Sequence, residues 1–240
     1  MIEITSKNNQ KIKDAASLRV KKYRQEKGLF LMEGLKNLEM ALRFGKVKEI
    51  YTCIGLPKLK KPDIEVYKVN DEIIRKLAYS ENPEGVVFVC EYVKPLKTRD
   101  SYNKIIYLDH ISDPGNLGTI IRTAVAFNYD AVILSEGSVD LYNEKVLAAT
   151  KGAIFAIDIL TDNIRNYDVP IIVSTLNDKS EPLHKFGKLS EFILVLGNES
   201  HGVSKEICDI ADQFVKIEMS DNIDSLNVAV AAGILMNYFK

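Results

Sequence analysis

The chain has 240 residues, 46% of them hydrophobic, no Trp and a formal net charge of -1. That length and composition suit one large globular domain or two modest ones and exclude a disordered or collagen-like chain. No run reaches the roughly 18 consecutive apolar residues of a membrane span, so no membrane partner is expected. The near-neutral total hides a division. Residues 1–100 hold 21 Lys and Arg against 14 Asp and Glu, a net of +7, whereas residues 101–240 hold 11 against 19, a net of -8. A basic unit beside an acidic one fits polyanion binding by the first. The N-terminus, Met1 to Lys7, lacks an apolar signal region, which points to a cytoplasmic protein. Cys53, Cys90 and Cys208 lie far apart and form no CxxC pair, so neither a structural zinc site nor a disulfide framework is expected.

In chain order, the first feature is a basic stretch. Lys7, Lys11, Lys13, Arg19, Lys21, Lys22, Arg24 and Lys27 alternate with Ile12, Ala15, Ala16, Leu18 and Tyr23 at helical spacing, which predicts a basic amphipathic helix. Phe30–Met32 predicts a strand, and 37–44 a helix ending at Gly45. Strands are expected at 49–52, 65–69 and 85–90, with a helix over 71–77. This is a small α/β domain over residues 1–93. Residues 94–103 are polar and predict a linker.

From 104 to 240 the pattern becomes regular. Apolar strands are expected at 105–108, 131–134, 154–159, 171–174, 193–196 and 214–217, with helices at 117–127, 143–151, 203–211 and 226–239. Alternating β and α with apolar strands indicates a parallel sheet covered on both faces. In 117–127, Leu117, Ile120, Ile121 and Ala124 form one apolar stripe, and Arg122 stands opposite among small residues. Helix 226–239 is apolar nearly all round, which suits burial and a subunit interface.

Two segments combine Gly, Asn and charge with an adjoining apolar stretch, Asp113 to Arg122 and Leu196 to Gly202, and a third, Ile217 to Asn227, combines Asn, Ser and charge. Gly197 to Ser204 nearly has P-loop spacing, but Val203 stands where the phosphate-binding Lys belongs and Glu199 would repel a triphosphate. Asp113 to Gly118 lacks the G-x-G-x-x-G of dinucleotide folds. Ser200 is three residues after Gly197, which breaks the hydrolase elbow spacing. His110, His184 and His201 form no metal-spaced pair, so no metal is expected.

Together the three segments resemble the motifs of the SpoU (TrmH-type) RNA 2'-O-ribose methyltransferases of the SPOUT class. Asn116 and Arg122 match the first motif, Leu196-Gly197-Asn198-Glu199 with Gly202 the second, and Ser225-Leu226-Asn227 with Ala229 and Ala232 the third. Phe30 to Gly34 and Pro83 to Val86 are similar to the small RNA-binding domain of many members. The resemblance implies a C-terminal parallel sheet with a trefoil knot and a homodimer with sites near its interface. It also implies methyl transfer from S-adenosyl-L-methionine to a ribose 2'-hydroxyl of RNA, ribosomal more than transfer RNA. It gives Arg122, Asn116, Glu199, Ser225 and Asn227 to catalysis. The matching Arg of the family is sometimes assigned as a general base, but a guanidinium stays protonated. The expected role of Arg122 is therefore to bind the adjacent phosphate and lower the hydroxyl pKa, with Glu199 either fixing Arg122 or accepting the proton. It gives Thr175, Leu176, Leu196, Gly197, Ile217, Met219 and Leu226 to the cofactor. This chain departs from the family at Glu218, where Pro is usual, and at Ala148 and Thr150, followed by Lys151, where Arg and Ser are frequent. A tRNA 2'-O-methyltransferase and a non-catalytic RNA-binding protein on the same scaffold are the alternatives. A base-methylating relative fits less well, because the Asn116/Arg122 and Ser225 to Asn227 patterns are ribose-type.

Overall fold

The computed structural model describes residues 2–56 and 63–240. These fall into two compact units. One joins residues 1–93 with the segment Tyr142–Ala156, and the other joins Lys94–Leu141 with Ile157–Lys240.

The first unit is built on a five-stranded sheet. Its strands are β1 (Ile2–Ile4), β2 (Leu29–Glu33), β3 (Val47–Thr52), β4 (Glu65–Val69) and β5 (Val86–Glu91), in the order β1-β4-β3-β5-β2. β1, β4 and β3 are parallel, and β5 runs antiparallel to both β3 and β2. Its helices are α1 (Gln10–Ser17), α2 (Lys21–Lys27), α3 (Leu35–Phe44), α4 (Asp71–Leu77) and α6 (Glu144–Thr150). The expected basic helix is thus two helices, broken at Leu18–Val20. Arg24 explains the break: it is buried, and its Nη1 donates to the carbonyls of Leu18 and Arg19 at 3.2 and 2.9 Å. The basic surface is also less free than the sequence suggests. Lys11 pairs with Glu49 and Glu65, Lys7 with Glu72, and Arg19 with Glu144.

The strand expected at 154–159 is displaced. Lys151 and Gly152 both have left-handed φ, 49° and 85°, which turns the chain. Ala153–Phe155 then forms one 3-10 turn, with Ile154 and Phe155 buried in the first unit. Phe155 stacks on Phe30 at 6.0 Å. A short apolar run does not by itself distinguish a buried turn from a strand.

The second unit carries a seven-stranded sheet in which every pairing is parallel. Its strands are β6 (Lys104–Leu108), β7 (Ala131–Leu134), β8 (Asp158–Thr161), β9 (Ile171–Ser174), β10 (Glu181–Pro182), β11 (Phe192–Leu196) and β12 (Gln213–Lys216), ordered β10-β12-β9-β11-β6-β7-β8. β11 and β6 lie at its centre and are fully apolar apart from Lys104, as strands covered on both faces must be. α5 (Pro114–Ala126) starts three residues earlier than expected because Asp113 caps it and Pro114 sits in its first turn. α7 is one turn only (Lys205–Cys208), since Ile210 and Ala211 bond three residues back and tighten the chain out of the helix. α8 (Val228–Phe239) packs against α5.

One detail of the sheet matters for topology. Val215 of β12 pairs with Ser174 of β9 on one side and with Glu181 of β10 on the other. β12 is therefore inserted between two strands that are consecutive in the chain. Residues 175–180 must step across it, and the chain after β12 leads on to α8. This arrangement fits the trefoil knot that the resemblance implies.

Candidate active site

The three asparagine-bearing segments follow the carboxyl ends of β6, β11 and β12, and the connection after β9 joins them. In open α/β sheets that edge is where ligands bind. A cleft of about 270 Å³ opens there, lined by Thr175 and Leu176 after β9, Leu196 to Glu199 and Gly202 after β11, and Ile217, Met219, Ser225 and Leu226 after β12. All seven residues expected to hold a cofactor lie on it. Leu176, Leu196, Ile217, Met219, Leu226 and Val228 make it mainly apolar, and Glu199 supplies a carboxylate.

The segment after β11 has no freedom at Gly197. A Cβ there would lie 2.2 Å from the Gly202 carbonyl carbon and 2.3 Å from the Val203 nitrogen, distances only hydrogen allows. Asn198 and Gly202 close the turn with two backbone bonds of 2.9 Å. Asn198 Oδ1 accepts from the Ser200 and His201 amides, and its Nδ2 donates to the His110 carbonyl at 2.8 Å. His110 has a left-handed φ of 55°, which costs a non-glycine residue about 1 kcal/mol or more. That conformation gives Asn198 its acceptor.

A directed hydrogen-bond chain links the three segments. Glu199 can only accept, so the Asn116 amide must present Nδ2 to its Oε1, at 2.9 Å. Asn116 Oδ1 then accepts from Asn227 Nδ2 at 3.0 Å. Asn227 Oδ1 in turn caps α8 by accepting from the Ala229 and Val230 amides. Ser112 donates to the other Glu199 oxygen at 3.1 Å. Partial burial pushes the Glu199 carboxyl up, but the bonds from Asn116, backbone amides and Ser112 outweigh it and hold the group below the ordinary glutamate value. Glu199 is therefore an anion that resists protonation, a poor proton acceptor. The linkage follows: the network is intact above the ordinary carboxylate range and weakens as pH falls through the depressed native value. Replacing Asn116 with Leu is expected to raise the Glu199 midpoint in a carboxyl ¹³C titration. An unchanged midpoint would remove Asn116 as its main holder.

Of the five residues expected in catalysis, Asn116, Glu199 and Asn227 are joined directly and Ser225 lines the same cleft. Arg122 is not among them. It is exposed on α5 and makes no hydrogen bond or ion pair with the described residues, so the expected Glu199–Arg122 contact is absent within one chain. Sequence reasoning missed Ser112 and Asp109. Asp109 is 2% exposed, and its Oδ2 accepts the Ser204 amide at 2.7 Å, tying β6 to the far side of the turn after β11. The only signal for either was a short polar side chain just beyond an apolar strand. Of the departures, Glu218 pairs with His184 at 3.0 Å, Thr150 is buried and bonds the Leu147 carbonyl, and Ala148 is exposed.

Residues 103–237 match the SpoU rRNA Methylase family, and residues 9–87 match the MRM3-like substrate binding domain. The chain is 32% identical, over all of both proteins, to the 23S rRNA (guanosine(2553)-2'-O)-methyltransferase RlmP of Bacillus subtilis. It also resembles the crystal structure of an AdoMet-bound rRNA methyltransferase from Sinorhizobium meliloti, with a TM-score of 0.88, 30% identity, and 98% and 96% of the two chains covered. A third match is the crystal structure of an RNA 2'-O ribose methyltransferase, with a TM-score of 0.81, 26% identity, and 99% and 97% covered.

Proposed function

The chain belongs to the SpoU rRNA methylase family, and from that membership we propose that it is an RNA 2'-O-ribose methyltransferase that uses S-adenosyl-L-methionine and acts on ribosomal RNA. The observation that carries this reading is the bonded chain Glu199–Asn116–Asn227 at the edge of a mainly apolar cleft. The cleft suits the cofactor: its apolar residues fit an adenosyl group, and an ionised carboxylate suits a cation. When bound, the cofactor supplies a methyl group already activated by a sulfonium centre.

The protein's task is then alignment and help with the hydroxyl proton. Asn116, Asn227 and Ser225 orient the ribose. Glu199 fixes Asn116 and favours positive charge nearby; its depressed pKa makes it unsuited to take the proton. Arg122 is always protonated and would bind the phosphate next to the target hydroxyl, lowering that hydroxyl's pKa.

The protein acts as a homodimer in this reading. α8 leaves Val230, Ile234 and Tyr238 exposed at i, i+4 and i+8, an apolar stripe that a second copy would cover. Thr123, the residue after Arg122, faces Gly233 of α8, where an added Cβ would be 4.0 Å from its methyl; in this reading Arg122 reaches the other copy's cleft. On the same reading, the unit of residues 1–93 holds the RNA and the unit built from most of residues 104–240 is the methyltransferase domain; Tyr142–Ala156 is compact with the first, and residues 94–103, expected as a linker, are compact with the second.

Titration with S-adenosylhomocysteine, followed by transfer of labelled methyl groups to ribosomal RNA, tests this. 23S rRNA comes first, because the B. subtilis relative is named for it. Cofactor-product binding with transfer to rRNA is expected. Binding with transfer only to tRNA would move the substrate, and no binding would favour a non-catalytic RNA-binding protein.

A further inference from the structure

We propose that a second crevice of the same unit receives the base of the nucleotide being methylated and selects guanine by its hydrogen-bond donor edge, an inference that rests on the function proposed above. The crevice, about 580 Å³, opens at the carboxyl ends of β6, β7 and β8, and Tyr107, Asp109, Glu136, Asp162, Arg165 and Glu206 are among its walls.

Tyr107 points to a ligand. It is 5% exposed, yet its hydroxyl has no hydrogen-bond partner among the described residues. Unlike the sealed, partnerless hydroxyl of Tyr129, it opens onto the crevice and is free to meet what enters. Burial first, and then the carboxylates of Asp109, Asp162 and Glu136, push its pKa up to about 12. The hydroxyl is thus neutral and free to donate.

The carboxylates divide into two kinds. Asp109 is held by the Ser204 amide and by His110 Nδ1, and Asp162 by Arg99, Tyr167 and Asn166. Glu136 and Glu206 have no such partners among the described residues. Glu136 is exposed and lines the same crevice as Tyr107. A free carboxylate beside a free hydroxyl donor, with the Arg165 cation on the same wall, reads as two acceptors next to donors. Guanine presents N1–H and N2–H₂ as adjacent donors and O6 as an acceptor. Adenine, cytosine and uracil do not offer two adjacent donors. The acidic walls repel phosphate, so a base enters and the backbone stays outside.

The position is suitable. The cleft and the crevice share the turn after β11: Asn198, Glu199 and Gly202 face the cleft, and Ser204 and Glu206 face the crevice. In the loop after β6, Asp109 lines the crevice, and Ser112, three residues on, bonds Glu199. Three residues reach at most about 10 Å, and the left-handed His110 between them shortens that, so one nucleotide can bridge the two.

The test maps the methylated nucleotide and then compares RNA carrying guanosine or inosine there, using labelled S-adenosylmethionine. Inosine keeps N1–H and O6 but lacks the 2-amino group. Wild-type protein is expected to lose about tenfold in kcat/KM on inosine RNA. Glu136→Gln is expected to lose about tenfold on guanosine RNA, to discriminate inosine weakly, and to bind S-adenosylhomocysteine as wild type does. Tyr107→Phe, which removes only the hydroxyl, should lose activity on both RNAs with cofactor-product binding unchanged. A target other than guanosine, equal use of both RNAs by wild type, or full discrimination by Glu136→Gln would overturn the inference while leaving the methyltransferase reading in place. Absence of transfer to any RNA would overturn that reading and this inference with it.

Discussion

Arg122→Ala is expected to slow methyl transfer by at least about a hundredfold, the usual loss when a preorganised charge is removed from a reacting oxygen, while cofactor affinity stays within a few-fold. The split follows from where the side chain stands. Arg122 is six residues beyond Asn116 on α5, about 9 Å along the axis, and has no partner in the bonded chain that joins the three segments. Its removal should leave Glu199, Asn116 and Asn227 as they are. Isothermal titration with S-adenosylhomocysteine and single-turnover transfer measure the two halves separately. Mixing Arg122→Ala with a cleft variant such as Asn116→Ala adds a sharper readout: if Arg122 acts on the second copy's cleft, heterodimers recover one working site. Normal turnover by Arg122→Ala would sink its assigned role.

Gly197→Ala should abolish cofactor binding and destabilise the fold. The added methyl would sit 2.2 Å from the backbone of Gly202 and 2.4 Å from its carbonyl oxygen, so the turn after β11 must open. That breaks the paired Asn198–Gly202 bonds and displaces Glu199 from Asn116. Overpacking of this kind costs about 1–3 kcal/mol, or a fall in Tm of roughly 2–12 °C for a chain of this size. Gly187→Ala is the control, since a Cβ there meets nothing within 4 Å. Calorimetry showing equal Tm for the two variants would contradict the geometry.

The site was legible because its ingredients are local. Glycine, asparagine and charge directly after apolar strands mark loops that a parallel sheet brings to one edge, and all seven cofactor expectations fall on one cleft for that reason. Ser112 and Asp109 were not legible: each acts only through a partner 87 or 95 residues away, and nothing near either names that partner. The same limit hid the fate of Tyr142–Ala156, whose helix sits mid-chain among the elements of one unit yet is compact with the other. It also hid the insertion of β12 between β9 and β10, since periodicity describes strands and not their order. The misplaced strand at 154–159 has a simpler cause, two consecutive left-handed residues of which only one is glycine.

The bonded chain through Asn116 spans 83 residues to Glu199 and 111 to Asn227. None of its links can form within a helix or a hairpin. Contacts of such separation are slow to reach, because loop closure must be met before any of them contributes. The site thus has no local precursor that a half-folded chain could carry. During refolding, helical signal should return first and catalytic competence last, so that activity reports the completed chain crossing and not the presence of its parts.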